Sequence, residues 1–525
     1  MDRVNQTADQ YHIKNYSVMA LANFFDKISL SAAQRIKQYD RSAFQDKLLT
    51  TRITIVYGDN AVVTKEGTVA LDLVVRILAR LYPNLQFFNL AQDARGSAIT
   101  NALRTTALSI NPELTINEGG VPHICLVIGE VRGFTPVGRC FYVGSNGWKA
   151  LFSVNSALRC GETQNPFGAA AAVCIAAANI FRFVFADELD NPTLDSELCF
   201  SVFSQRIEAQ DEQEPLLPEE IRLGFTLVGT GAIGNAVLWT LLQLNELSGF
   251  INLIDDQDVS LTNLQRYALM SQKHVDKSKV VELKKMFDHF PNLSVNLFPH
   301  KWQSVIGSLL PKDLELLMVA LDSKEERLLI QAALPKKIIN AWTSQQDIGV
   351  SRHFNFSDSV CLSCLYLPKQ KQKSESVKIA ESLKLPEHLV RSYIANSIPV
   401  DDAFIFLVAQ SLNVDINQLR PYIGKPVQIF FSEGICGERI ISSGSGSQDL
   451  EVPLAHESIL AGILAAAEIV IESVQLRDYE IEPLTKINLL MPIHKFLQEE
   501  EGKNAASRCI CTDPVFVNRF KEKWS

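Results

Sequence analysis

The stretch Gly224 to Leu244, GFTLVGTGAIGNAVLWTLLQL, runs from an apolar strand-like segment through a glycine-rich turn into a pattern typical of a buried helix. It continues into FINLID, residues 250–255, which reads as the next strand. A second opening of the same kind is RITIVYG, residues 52–58, followed by apolar residues at helical spacing from Glu66 to Tyr82. The sequence therefore predicts a parallel α/β unit that begins twice.

The glycines of the turn, Gly229, Gly231 and Gly234, stand where missing side chains let backbone N–H groups approach a phosphate at a helix N-terminus. An acidic residue, Asp255, ends the next strand at close to the roughly 20-residue spacing expected of a ribose ligand. A turn of this kind also occurs for close packing alone. Taken together, these features leave NAD, FAD and ATP open as ligands.

Composition narrows the class of protein. A chain of 525 residues with 47% hydrophobic and 21% charged residues is globular, with about two to four domains. The formal net charge of -9 and the lack of a basic stripe argue against a nucleic-acid binder. No secretory signal is recognisable, and the longest apolar run, 169–186, reads as a buried helix rather than a membrane span. We expect a cytoplasmic location.

The residues after Asp255 distinguish between the candidate ligands. DDQDVSLTNLQR at 255–266 is followed by Lys279 and, later, by LDSKEER at 321–327. This set resembles the ubiquitin-activating family and its bacterial relatives MoeB and ThiF, in which a glycine loop precedes D-x-D-x-V-x-x-x-N-L-x-R-Q, a lysine, and an aspartate after a later strand. The resemblance implies ATP as the cofactor and adenylation of a carboxylate as the reaction.

The resemblance also implies a role for each matching position. Asp255 would hold the ribose, and Asn263, Arg266 and Lys279 would contact phosphates. Asp322 would bind Mg²⁺. Cations suit attack of a carboxylate on the α-phosphate, because charge develops there and on the leaving pyrophosphate.

Two positions depart from the family pattern. Gln257 stands where a second aspartate is usual, and Tyr267 replaces the glutamine that follows Arg266. The family's metal coordination is therefore not carried over to Gln257.

The first half of the chain supplies a different part of the pattern. Tyr39-Asp40-Arg41 resembles the segment whose arginine, in this family, reaches across a pseudo-twofold interface into the ATP site, so Arg41 is the candidate arginine finger. The turn Gly58-Asp59-Asn60-Ala61 is no phosphate cradle. We therefore predict two tandem Rossmann-like adenylation folds, one degenerate and one active, that form a pseudo-dimer within one chain.

Flexible stretches divide the chain. The acidic, proline-containing segment 205–220 has the composition of a linker between the halves. Two further flexible stretches, 368–375 and 441–449, bracket a largely helical insert with predicted helices at 385–397 and 401–412. The predicted parts are an inactive adenylation-like domain at 1–215, the active domain at 216–367 and 451–525, and a catalytic-cysteine insert with its crossover loop at 368–450.

Four of the ten cysteines fall into two close pairs, Cys361 with Cys364 and Cys509 with Cys511. Their spacing suits four thiolate ligands of one tetrahedral Zn²⁺, and the resemblance supports such a site. A redox CxxC is the alternative for the first pair, but that motif belongs at a helix start and the residues after Cys364 do not predict a helix.

The nucleophile is expected elsewhere. Cys436 lies between two glycines, next to Arg439 and before the flexible run ISSGSGS, in the region where the family carries its catalytic cysteine. A small buried cysteine is the competing interpretation. Cys140 and Cys160 are further cysteines expected to be exposed, whereas Cys125, Cys174 and Cys199 are expected in the core.

Three functions fit these observations. The first is activation of a ubiquitin-like protein and its transfer to a ubiquitin-conjugating-like enzyme, as in bacterial Bil-type operons linked to antiphage defence. The second is a MoeB- or ThiF-like adenylyltransferase of a sulfur-carrier protein. The third is an inactive subunit, against which the intact Arg266, Lys279 and Asp322 argue. Further homo-oligomerisation is left open.

Overall fold

The structure is a computed structural model of the chain. It describes residues 21–117, 120–208, 213–344, 347–367, 375–412, 414–431, 452–504 and 509–525.

An eight-stranded sheet forms the first half, in the order β3-β2-β1-β4-β5-β6-β7-β8. The first five strands in this order, with β1 at their centre, are parallel to one another. Strands β6, β7 and β8 follow in antiparallel orientation. The strands are β1 (Arg52–Tyr57), β2 (Asn84–Asn89), β3 (Thr115–Ile116), β4 (Ile124–Ile128), β5 (Arg139–Asn146), β6 (Lys149–Ser153), β7 (Glu197–Ser201) and β8 (Arg206–Ile207).

The second half repeats this topology strand for strand, in the order β11-β10-β9-β12-β13-β14-β15-β16. The parallel part again ends at the fifth strand, β13, and antiparallel strands follow. The strands are β9 (Glu220–Val228), β10 (Glu246–Ile254), β11 (Leu293–Phe298), β12 (Leu316–Val319), β13 (Lys337–Thr343), β14 (Ile348–His353), β15 (Leu484–Ile487) and β16 (Gln498–Glu499). The predicted pair of Rossmann-like units is confirmed.

The helices connect these strands. The first half contains α1 (Phe25–Ala33), α2 (Arg41–Thr50), α3 (Asp59–Val63), α4 (Lys65–Leu78), α5 (Arg95–Ile110) and α6 (Phe167–Val184). The remainder of the chain contains α7 (Ala232–Leu241), α8 (Lys279–Met286), α9 (Trp302–Val305), α10 (Lys324–Ala332), α11 (Leu362–Tyr366), α12 (Glu375–Leu383), α13 (Glu387–Ala395), α14 (Asp402–Leu412), α15 (Ile416–Leu419), α16 (Val427–Ile429), α17 (Ala455–Ser473) and α18 (Pro514–Trp524).

The two alanine-rich helices α6 and α17 occupy equivalent places, each between the sixth and seventh strand of its sheet. Both are almost entirely buried, and side chains of the two halves belong to one continuous hydrophobic core. Small residues allow α17 to pack closely against α7, since a Cβ on Gly462 would lie 2.5 Å from the Cβ of Ala236. The two halves therefore fold as one body.

Helix α6 is the one helix in the described part of the chain with the length and apolarity to cross a membrane, with a mean hydropathy of 1.8. However, 89% of it is buried inside the protein. Its apolar surface is covered by the core that the two halves share, as a buried helix requires.

The chain divides into two compact units. The first comprises Met1–Leu367, Val452–Asn504 and Arg508–Ser525, and the second comprises Pro368–Glu451 and Ala505–Ser507. In the described part of the second unit, the helices α12 to α16 enclose a separate small core around Phe404 and Leu419. This unit is inserted between β14 and α17, where the first half has only the connection 154–166.

A buried ionic network joins the two halves. Glu468 on α17 is 1% exposed and pairs with Arg352, 3.0 Å away, and with Arg477, also 3.0 Å away. Gln205 of the first half donates to the same carboxylate at 2.7 Å. Burial by itself raises the pKa of Glu468, but the two guanidinium groups outweigh burial and hold the pKa below its usual value.

We expect Glu468→Gln to lower the free energy of unfolding by about 3–5 kcal/mol, because two buried guanidinium groups lose their counter-charge. The matched control is Glu472→Gln, one turn along the same helix, which removes a half-exposed pair with Lys337 and should cost about 1 kcal/mol or less. Urea unfolding followed by circular dichroism measures both. Equal losses in the two variants would contradict the stabilising role of this network.

Candidate nucleotide site

Three adjacent parallel strands, β10, β9 and β12, end at one edge of the second sheet and bring the predicted nucleotide ligands together. Gly229 follows β9, Asp255 follows β10, and Asp322 lies three residues beyond the end of β12. The strands that follow β9 are added on both of its sides, β10 and β11 on one and β12 and β13 on the other. The carboxyl ends of β9 and its neighbours therefore mark the topological switch point, where doubly wound folds bind ligands.

The glycine turn has the geometry of a phosphate cradle. Gly229 has φ of +91°, and a Cβ there would lie 2.6 Å from the carbonyl oxygen of Ala320. A Cβ on Gly234 would lie 2.2 Å from the carbonyl oxygen of Gly229, so this glycine is needed for packing the turn itself. Gly231 caps α7, and a Cβ on it would meet nothing closer than the Tyr267 hydroxyl at 3.7 Å. The space over Gly231 is therefore open.

This difference predicts opposite effects for two neighbouring substitutions. Gly234→Ala should lower the free energy of unfolding by about 1–3 kcal/mol, because the turn must move to admit the methyl group. Gly231→Ala should fold with unchanged stability but bind MgATP about tenfold more weakly or worse, because the methyl group occupies the space a phosphate needs. Thermal melts and calorimetric titration with MgATP measure the pair. Wild-type affinity in Gly231→Ala would exclude this turn as the phosphate cradle.

Asp255, the residue after β10, forms hydrogen bonds that close the glycine turn. Its Oδ2 accepts hydrogen bonds from the backbone N and the hydroxyl of Thr230, at 2.8 and 3.0 Å. Its Oδ1 accepts from the backbone N of Gln257 at 3.0 Å. The carboxylate is thus held in one orientation at the carboxyl end of β10, the position that the family resemblance assigns to a ribose ligand.

Lys279 is 2% exposed, and its Nζ lies 2.7 Å from Gln257 Oε1, 3.8 Å from Asp255 Oδ1 and 5.5 Å from the centroid of the Tyr267 ring. The two residues that depart from the family pattern are therefore partners of the lysine. Gln257 offers a neutral amide oxygen and Tyr267 an aromatic face, so Asp255 is the carboxylate that pairs with Lys279 among the described residues. Much of the positive charge remains to attract a phosphate.

Asn263 and Arg266 lie in and just after a 3₁₀ turn, Leu261–Gln265. The Asn263 Oδ1 caps this turn by accepting from the Ser260 backbone N at 2.9 Å, so the group it can offer a phosphate is its Nδ2–H donor. Arg266 donates to Gln265 Oε1 at 3.2 Å. Burial lowers the pKa of the Arg266 guanidinium, while Tyr267 and Asp322 oppose that shift, which indicates that Arg266 and Asp322 lie near each other.

Asp322 lies close enough to Glu326 to affect its ionisation. Burial and the charge of Asp322 raise the pKa of Glu326, with smaller contributions from Asp256 and Asp255, while Lys301 opposes them. Asp322 itself is exposed, and a carboxylate oxygen is a ligand type that Mg²⁺ prefers.

The equivalent turn of the first half is filled by the protein itself. The Asp59 carboxylate accepts from the backbone N of Gln92 and Asp93, at 2.8 and 2.9 Å. The Asn60 side chain accepts from the backbone N of Cys160 at 2.8 Å and donates to the carbonyl oxygen of the same residue at 2.9 Å. These side chains tie the turn to other loops of the first half, and residues 58–63 contain one glycine where the turn 229–234 contains three, which agrees with a degenerate half.

The structure does not bring Arg41 to the described nucleotide ligands. Arg41 begins α2, pairs with Asp26, and lies 5.2 Å from the centroid of the Phe25 ring. Cys436 lies outside the described residues. The site residues that sequence reasoning missed are Tyr267, noted only as a departure from the family pattern, and two arginines of the first half, Arg76 and Arg80, whose contacts link distant parts of the chain.

Four buried thiols converge at a second site. The sulfur atoms of Cys361, Cys364, Cys509 and Cys511 all lie within 4.8 Å of one another, and neighbouring pairs are 3.4–3.7 Å apart. Tetrahedral Zn²⁺ with bonds of about 2.3 Å places its sulfur ligands about 3.8 Å apart. The residues fit a structural zinc site, and the CxC pair takes part in it.

One sequence prediction about the cysteines is wrong. Cys361 does cap a helix, α11, although the residues after Cys364 did not predict one. A turn of only five residues is too short to show a helical apolar pattern. The third and fourth thiols beside the pair nevertheless favour a metal over a redox disulfide.

The prediction of exposed thiols in the first half is also wrong. Cys140 and Cys160 are 8% and 0% exposed, and Cys125 and Cys174 are buried as predicted. Burial raises the pKa of Cys160 to about 12 and that of Cys125 to about 11. Both cysteines expected on the surface are covered by strand and loop neighbours that lie far away in sequence, so none of these four thiols is an accessible nucleophile.

The fold and the site define a doubly wound α/β nucleotide-binding protein with one complete and one degenerate half. Residues 219–475 match the ThiF family, and residues 56–186 match Prokaryotic E2 family C. The protein y4jF of Sinorhizobium fredii is 37% identical over 517 residues, which are 96% of this chain and 98% of that protein.

Solved structures show a more distant likeness. E. coli MccB is 17% identical over 54% of this chain and 64% of its own, with a TM-score of 0.33. PaaA is 18% identical over 33% of this chain and 56% of its own, with a TM-score of 0.23. This chain thus spans less than two thirds of either solved chain.

The chain belongs to the ThiF superfamily of ubiquitin-activating-enzyme-like proteins, in a form that fuses a ThiF domain to a domain of the prokaryotic E2 type. ThiF proteins are adenylyltransferases, so the activity that the family assigns is ATP-dependent adenylation of a substrate.

Proposed function

We propose that this protein uses ATP to activate the C-terminal carboxylate of a ubiquitin-like protein, carries that protein as a thioester on Cys436, and passes it to a conjugating enzyme. The observation that carries the proposal is the duplicated fold with one complete nucleotide site and a helical unit inserted before α17. A simple adenylyltransferase needs no such unit, whereas a carrier of thioesters needs a segment that bears a nucleophile.

In the first step the modifier's carboxylate oxygen attacks the α-phosphorus of ATP, and pyrophosphate leaves. The backbone of Gly229, Gly231 and Gly234 would cradle phosphate. The cationic and amide donors Lys279, Arg266 and Asn263 would stabilise the charge that develops. The proposed remaining roles are Asp255 for the ribose, Asp322 for Mg²⁺ and Arg41 as a finger from the first half.

In the second step the Cys436 thiolate attacks the acyl carbon of the adenylate, the thioester forms, and AMP leaves. The thioester then passes to the thiol of a conjugating enzyme. We propose that this enzyme is a separate chain, because the four cysteines of the E2-type match, Cys125, Cys140, Cys160 and Cys174, are all buried. A cytoplasmic location suits this chemistry, because the described cysteines are free thiols.

The identity of the modifier is the least constrained part of the proposal. The E2-type match supports a pathway with conjugating components, as in the bacterial Bil-type operons of antiphage defence. Sulfur-carrier activation shares the first step and is supported by the same nucleotide site, but it gives the inserted helical unit no role.

Substitution of the nucleophile separates these functions. We expect Cys436→Ala to keep ATP–pyrophosphate exchange with the cognate ubiquitin-like protein and to lose the ATP-dependent, thiol-sensitive band on a non-reducing gel. The candidate modifiers are ubiquitin-like proteins encoded beside this gene, and Cys140→Ala, at a buried cysteine, is the control. A thioester band in Cys436→Ala would show that another cysteine is the nucleophile. Exchange without any band in the wild type would favour the sulfur-carrier function.

A further inference from the structure

Two arginines of the inactive half bind backbone carbonyl groups in the active half. Arg80, just after α4, donates to the carbonyl oxygen of Leu264 and to that of Met270, the latter at 3.0 Å. One turn earlier, Arg76 donates to the carbonyl oxygen of Ala268 at 3.0 Å. The two side chains thus hold a single short segment, 264–270.

This segment carries side chains of the nucleotide site. Arg266 and Tyr267 lie within it, and the Tyr267 hydroxyl is the nearest group to the open face of Gly231. The first two residues of the segment end the 3₁₀ turn Leu261–Gln265, and residues 266–270 are neither helix nor strand, so the sheet does not fix their backbone. From the opposite side, Asn235 of α7 accepts from the backbone N of Leu269 at 2.6 Å. Side chains of α4 and α7 therefore decide where Arg266 and Tyr267 point.

Burial of a charged guanidinium costs free energy, so Arg80 is an unusual residue for a purely structural role. Its side chain is 1% exposed, and among the described residues it has neutral carbonyl partners and no carboxylate. Arg76, by contrast, pairs with Asp72, which also accepts from the Trp239 indole. A small cavity of about 10 Å³ is lined by Arg80 together with Gln265, Leu454 and neighbouring apolar side chains.

We infer that Arg80 is a positioning residue of the nucleotide site, through which the inactive half holds the segment 264–270 in the conformation that binds ATP. The inference rests on the proposed ATP-dependent adenylation. Arg80 touches no substrate in this arrangement. It acts through the backbone that presents Arg266 and Tyr267, and this gives the degenerate half a part in the reaction that does not depend on Arg41.

The test is calorimetric titration of the purified full-length chain with MgATP, which requires no modifier protein. Arg80→Met, which keeps the bulk but removes the donors, should weaken MgATP binding about tenfold or more. Arg80→Lys keeps the charge but can bond fewer carbonyls, and it should show a smaller loss. The matched control is Arg182→Met, another buried arginine of the first half, which binds Asp195 and the carbonyl oxygen of Thr193. It should lower the melting temperature without changing the affinity.

Hydrogen exchange provides a second measurement, because it distinguishes local opening of one segment from a general loss of stability. In Arg80→Lys the amides of 261–270 should exchange faster, while those of the buried helix α6 stay protected. If Arg80→Met fails to fold, Arg76→Met takes its place, because that side chain is partly exposed and binds the same segment.

Wild-type affinity in Arg80→Lys and in whichever methionine variant folds would overturn the inference, and so would an equal loss of affinity in Arg182→Met. A wild-type chain that binds no MgATP would instead refute the proposed function, so the two failures are distinguishable.

Discussion

Replacement of Lys279 by methionine is expected to reduce ATP–pyrophosphate exchange by about 10²–10³-fold, the usual effect of removing one donor that stabilises developing charge. Lys279 is buried at the sheet edge, and its closest polar contact is the neutral amide oxygen of Gln257. The nearest carboxylate, Asp255, is 3.8 Å away, so the charge of Lys279 is only partly compensated and can attract the polyphosphate. Exchange is measured with labelled pyrophosphate at saturating ATP, after the melting temperature has shown that the variant is folded.

Lys277→Met is the matched control for this prediction. Lys277 is exposed and lies two residues before Lys279, so the substitution removes the same charge from the same loop without entering the site. Its exchange rate should stay close to that of the wild type. Similar losses in both variants would mean that net charge near the site, rather than a placed donor, supports the reaction.

Replacement of Cys364 by alanine is expected to release the metal and unfold the C-terminal part of the first unit. Cys364 is the sulfur at the centre of the cluster, with Cys361, Cys509 and Cys511 at 3.5–3.7 Å. The cluster and the rings of Phe356 and Phe520, 4.9 Å apart, form a small core of their own. Structural zinc sites in small domains contribute on the order of 10 kcal/mol. Without the metal, α18 would keep the hydrogen bonds of Lys523 and Trp524 to the carbonyl oxygens of Ala333 and Leu334 but lose the support of the cluster.

Metal content and local stability measure this effect. Elemental analysis should find one zinc per wild-type chain and almost none in Cys364→Ala, and α18 should become sensitive to protease. Cys174→Ala is the control, because it also removes a buried thiol but lies in α6 away from the cluster. A wild-type chain without zinc, or a protease-resistant Cys364→Ala chain, would contradict a structural metal site.

Much of the fold could be predicted from short stretches of sequence. The apolar runs that became β1 and β9, and the glycine turn after β9, each depend on residues within a few positions of one another. The prediction of two helices in the insert, 385–397 and 401–412, corresponds to α13 and α14 for the same reason. Local steric and hydrophobic preferences act over these distances, so the pattern is readable.

Contacts between distant positions could not be predicted in this way. Arg80 binds carbonyl oxygens 184 and 190 positions away, and Glu468 meets Gln205 across 263 positions. Neither arginine nor glutamate differs in local pattern from a surface residue. The prediction that Cys140 and Cys160 are exposed was wrong for the same reason, since neighbours distant in the sequence cover them.

The sequence by itself therefore determined the class of fold and the glycine turn, and it predicted the acidic and basic residues of the proposed nucleotide site and the four cysteines that the structure brings together. Each of these is a local pattern of residue types, and the chemistry of the types limits what such a pattern can bind. Only the tertiary structure decided that the two halves share one core, that Tyr267 and Gln257 are partners of Lys279, and that Arg80 of the first half binds carbonyl oxygens of the segment 264–270. These features depend on which surfaces meet when two similar sheets pack together, and packing joins residues without regard to their separation along the chain.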